Sequence, residues 1–171
     1  MIKAISQLKF IALIEEMSNN IDWKLRNAAL NGEDYLVSQL ISQGATVDSE
    51  SPAGDTALHL AAFEGHSLVV IRLLDAGGSL EARNMKGLTP LTLAANHGHL
   101  GTVNYLLLRG ADIDTQDDDK STPLHWASRW GHTEVIKTLL HHGANQEIRN
   151  YEGKTAEDEA MNDETRAVFS K

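Results

Sequence analysis

The chain has 171 residues, of which 42% are hydrophobic and 23% charged, the balance of a folded domain rather than a disordered tail. A formal charge of −9 opposes generic attraction to nucleic acid or an anionic membrane, because binding phosphate requires a positive footprint. With no cysteine in the sequence, disulfides, thiolate zinc sites and cysteine nucleophiles are ruled out.

The first segment, residues 1–20, is apolar enough to be tested as a signal peptide. Lys9 interrupts its apolar run, and Glu15 and Glu16 stand where small residues should precede a cleavage site. No run in the chain approaches the eighteen or so apolar residues needed to span a bilayer. The expectation is therefore an intracellular protein, cytoplasmic or nuclear. On a helical wheel Phe10, Leu13, Ile14 and Met17 share one face, and Ile5, Leu8 and Ile11 form a second stripe. One stripe suffices to cap the following unit. The second leaves room for self-association, although a monomer is the simpler expectation.

From Ile21 onward the chain repeats. Gly32, Gly65, Gly98 and Gly131 recur every 33 residues, as do Gly44, Gly77, Gly110 and Gly143. A unit of this length cannot bury its own apolar face and must stack on its neighbours. Each copy opens with Thr56, Thr89 or Thr122, hydroxyls suited to capping a helix N-terminus, and Pro90 and Pro123 then occupy the first helical position. A glycine ends that helix. The next helix carries Val69, Val70, Leu73 and Leu74 in one copy and Val135, Ile136, Leu139 and Leu140 in another, one buried face in each case. The first unit, residues 21–48, has no hairpin tip; Ser18-Asn19-Asn20 links it to the N-terminal segment, and Asp22 is expected as its N-cap. Full units follow at 49–81, 82–114 and 115–147. The last, 148–171, replaces the apolar helix face with Glu157, Asp158 and Glu159, and residues 162–169 allow at most a truncated second helix.

Thr89-Pro90-Leu91 and Thr122-Pro123-Leu124-His125, followed by an alanine-rich helix, a Gly-His pair, Leu-Leu and Gly-Ala, resemble the ankyrin repeat. The resemblance runs from about residue 21 to residue 160. It implies an all-α solenoid of helix-turn-helix units with short β-hairpin tips, acting as a protein-binding module through its concave side. It also implies that His59 and His125 bond between repeats. The tips fall at residues 52–54, 85–87, 118–120 and 151–153. Three end in glycine, suiting a turn with positive φ, whereas the third ends in Lys120.

Nothing in the sequence points to catalysis or to a cofactor. There is no phosphate-binding glycine loop, no G-x-S-x-G and no H-E-x-x-H. Among eight histidines, His66, His99 and His132 recur with the scaffold, while the pairs His97/His99 and His141/His142 lack a third metal ligand. Positions at which the copies differ are free of scaffold duty, and these are the candidate partner-binding residues. Phe63, Met85, Leu88 and Tyr151 are large apolar or aromatic groups of this kind. His97 and the acidic pair Asp118 and Asp119 join them, and the run from Asp117 is suited to a basic patch. Arg129 and Trp130 are the expected anchor, since arginine and aromatic residues are enriched at binding hot spots. Trp126 stands where other copies have Leu60 and Leu93, and is expected in the core. The function expected is a scaffold or inhibitor that binds a basic or apolar patch on another protein. The alternative is a structural protein that associates through its N-terminal helix.

Overall fold

The computed structural model describes residues 20–170; the expected N-terminal helix lies outside them. The described chain folds into antiparallel helix pairs: α1 (Ile21–Leu30) with α2 (Asp34–Ser42), α3 (Ala57–Glu64) with α4 (Ser67–Asp75), α5 (Pro90–Asn96) with α6 (Leu100–Leu108), and α7 (Pro123–Arg129) with α8 (Thr133–His141). A short helix, α9 (Asp163–Arg166), closes the stack. First helices pack on first helices and second on second, so each pair packs chiefly against the pairs beside it. Small residues make this close approach feasible: Ala29, Ala61, Ala62, Ala94, Ala95 and Ala127 are all fully buried. Against them pack Val70, Leu73, Val103, Leu106, Ile136 and Leu139, equally inaccessible.

The threonine caps form as expected, Thr56, Thr89 and Thr122 accepting from the N–H three residues on. At α1 the expectation is corrected. Asn20 is the N-cap, its Oδ1 accepting from the N–H groups of Asp22 and Trp23. Asp22 instead accepts from the Thr46 N–H at 2.6 Å. This contact starts a row continued by Asp48 on Ser79 N–H, Glu81 on Asp112 N–H and Asp114 on Asn145 N–H, at 2.8–2.9 Å. Carboxylates thus staple each inter-repeat loop to the one before it.

Histidines supply two further ladders. His59 Nε2 bonds the Leu88 carbonyl and His125 Nε2 the Lys154 carbonyl, each in the next repeat. In the opposite direction His66, His99 and His132 reach the carbonyls of Leu30, Phe63 and Asn96, at the ends of preceding first helices. Those carbonyls have no partner within their own helix, so the contact satisfies a terminus while tying two repeats together.

The tips are tight turns rather than strands; no strand occurs among the described residues. Ser51, Asn84, Asp117 and Asn150 organise them in register. Each side-chain oxygen accepts the N–H groups two and four residues ahead. Successive tips then join by one backbone bond each, from Met85 N–H to Ala53, Asp118 N–H to Lys86, and Tyr151 N–H to Asp119. Lys120 adopts φ 58°, the one non-glycine positive φ among the described residues, so it keeps the turn geometry of its glycine counterparts. At the C-terminal end, residues 155–160 form turns in place of a first helix, with Ala156 buried. The four-residue α9, capped by Asn162, is the truncated second helix.

Candidate functional site

Stacking brings one position of each first helix into line. Leu60 of α3, Leu93 of α5 and Trp126 of α7 form the floor of a groove of about 1100 Å³ between the tips and the helix ends. Leu30, Phe63 and Asn96 make one wall. The opposite wall consists of tip residues, from Pro52 and Ala53 through Met85 and Lys86 to Asp118 and Asp119. The groove is apolar toward the N-terminal repeats and acidic toward the third tip.

Six of the nine expected binding residues line this groove: Phe63, Met85, Leu88, His97, Asp118 and Asp119. Met85 is 74% exposed, far more than an apolar scaffold residue requires. The rings of His97 and Phe63 lie 4.1 Å apart. Partial burial, and then the nearby His99, lower the His97 pKa and favour its neutral form. Tyr151 lies one tip beyond and is open to solvent, with the Lys120 ammonium 4.9 Å from its ring centre.

The expected anchor divides. Trp130 is 54% exposed at the end of α7 and does not line the groove. Arg129 is held within the fold, its Nε donating to Glu159 at 2.5 Å and its guanidinium over the Trp126 ring at 4.7 Å. The Arg129 hydrogen bond in turn keeps the Glu159 carboxyl below the usual carboxylate range.

Trp126 is the main correction. It is half-buried on the groove floor rather than in the core, and its Nε1 donates to Asp117 Oδ2 at 2.7 Å. Asp117 is buried and also accepts the Asp119 and Ser121 N–H groups, so it belongs to the turn and not to a free acidic run. The sequence did contain a signal for this. Residues 51, 84, 117 and 150 each carry a side-chain oxygen in one register.

The family comparison now decides the assignment: the family model for ankyrin repeats in three copies matches residues 25–117 and 102–168. The chain is an ankyrin-repeat protein. Comparison with curated proteins gives no significant match. Ankyrin repeats are generally protein-protein interaction modules and typically non-enzymatic scaffolds. Among the described residues no group of three His, Asp or Glu side chains is placed to hold a metal ion, and no helix is long and apolar enough to cross a membrane.

Proposed function

We propose that this ankyrin-repeat chain binds a partner protein in the groove between its tips and first helices, as a scaffold or inhibitor. The observation that carries the reading is the composition of the groove. Its exposed surface is built from Phe63, Met85, Leu88, His97, Asp118 and Asp119, positions the repeat scaffold leaves free to vary. Desolvated aromatic and long apolar side chains dominate protein interfaces energetically, and Trp126 adds a ring on the floor. The partner surface that fits is apolar with basic groups. Trp130, Arg129 and Tyr151 extend the surface past the groove's acidic end.

Affinity capture with the full chain tests this. Phe63→Ala, Met85→Ala and Trp126→Ala should each weaken capture of a partner with helical circular dichroism unchanged. Leu68→Ala and Leu108→Ala, exposed on second helices, should not. Equal capture by all five variants refutes the groove. A dimer by light scattering that becomes a stable monomer without residues 1–17, losing capture as it does so, favours association through the N-terminal segment instead.

A further inference from the structure

The groove has a direction, and its direction specifies what it takes. At the end nearest α1, the lining is Leu30, Pro52, Ala53, Leu60 and Phe63. At the far end it is Trp126 beneath the third tip. The acidic residues of the groove are not equivalent. Asp55 Oδ1 accepts from Asn84 Nδ2 at 2.8 Å, and Asp117 is saturated by two backbone N–H groups and the Trp126 indole. Asp118 and Asp119 are exposed, and their carboxylates have no hydrogen-bond or ion-pair partner among the described residues. The nearest tip arginine, Arg83, is occupied by the Gln116 carbonyl and the Thr115 hydroxyl. Between the two ends stands a single cation, Lys86.

We propose that the groove binds an extended segment of another protein in one orientation. A large apolar side chain sits against Phe63 and Leu60, and an arginine or lysine sits at Asp118 and Asp119. The spacing follows from the stack. Packed helices lie about 8–10 Å apart, so two repeats span about 16–20 Å. An extended chain advances about 3.3 Å per residue, which places the cation about five or six residues from the apolar anchor. Lys86, between the two ends, disfavours a second cation midway. This inference rests on the groove reading above and adds the order and spacing of the two determinants.

The test is selection of a random dodecapeptide library displayed on phage against the full chain and against Asp118→Asn/Asp119→Asn. The wild type should enrich peptides with a lysine or arginine five or six residues from a large apolar residue. The double variant should keep the apolar residue and lose the cation. Enriched peptides, synthesised and titrated by fluorescence anisotropy, should bind the double variant about three- to tenfold more weakly, the difference shrinking as salt is raised. Enriched peptides without a cation, or with one the double variant selects equally, overturn the inference and leave the groove standing if Phe63→Ala or Trp126→Ala abolishes their binding. Peptides indifferent to those two substitutions as well, or no enrichment above a blank, overturn both.

Discussion

Gly98→Ala should be among the most destabilising single-methyl additions this chain can receive. Gly98 ends the first-helix turn with φ +73°, a conformation that costs a residue with a Cβ about 1–2 kcal/mol. The added carbon would also lie 2.6 Å from His132 Nδ1 and 2.8 Å from its Cε1. That ring cannot retreat freely, since its Nε2 bonds the Asn96 carbonyl at 3.0 Å. Displacing it forfeits a net hydrogen bond, about 0.5–1.5 kcal/mol, and leaves a helix-end carbonyl without its partner. The two terms give about 1.5–3.5 kcal/mol. Gly110→Ala separates them, because Gly110 has φ +89° and nothing within 4 Å of the added carbon. It should cost the backbone term alone, about 1–2 kcal/mol. Urea unfolding followed by circular dichroism reads both as shifts in midpoint at constant m. Equal losses for the two variants would refute the reasoning, showing that the histidine ring yields without cost.

Burial lowers the pKa of His59 and of His125, against smaller opposing effects of their carbonyl bonds to Leu88 and Lys154. A histidine with a lowered folded pKa binds fewer protons folded than unfolded, so stability rises with pH through this window. It should be full above the ordinary histidine range near about 6.5 and decline from pH 7 toward 5, read as the urea midpoint. His59→Thr/His125→Thr, which places at both sites the residue found at Thr92, where the hydroxyl bonds Thr89, should lower the midpoint yet flatten that dependence. Asp117→Asn should keep the turn bonds that Asn84 and Asn150 make and lose only the Trp126 acceptor, costing about 1 kcal/mol. Asp117→Ala should cost about 3 kcal/mol, and equal midpoints for the two would reject the turn role. Lys120→Gly relieves about 1–2 kcal/mol of backbone strain but adds unfolded-state entropy and loses the Tyr151 contact. Its net gain should stay below about 1 kcal/mol and increase in a Tyr151→Leu background, as a thermal melt of the four variants would show.

Periodicity made most of the scaffold legible, because stacking demands the same side chain at the same place in every copy. Leucines, helix-ending glycines and the five inter-repeat histidines repeat in sequence for that reason. Ladders built from chemically different residues were harder to see. Asp48, Glu81 and Asp114 do one job with side chains of two lengths, and Ser51, Asn84, Asp117 and Asn150 do another with three residue types. What recurs there is an oxygen at a given reach, which letter-by-letter alignment does not register.

The misplacement of Trp126 has the same origin, inverted. Leu60, Leu93 and Trp126 share a register, and a recurring apolar position suggested core. In the fold that row faces the groove: Leu60 is half-buried, while Leu93 is buried at 7% exposure and still lines the floor. Asp117, tied to the turn by two backbone bonds, fixes the indole through Nε1, and Arg129 covers its face while answering to Glu159 of the last repeat. An aromatic ring held this way presents a rigid surface and loses little further freedom when a partner lands on it, which lowers the entropic cost of binding. Trp130, exposed and outside the groove, has no such preparation. The physical distinction between these two neighbouring tryptophans is therefore preorganisation, and it favours Trp126 as the anchor.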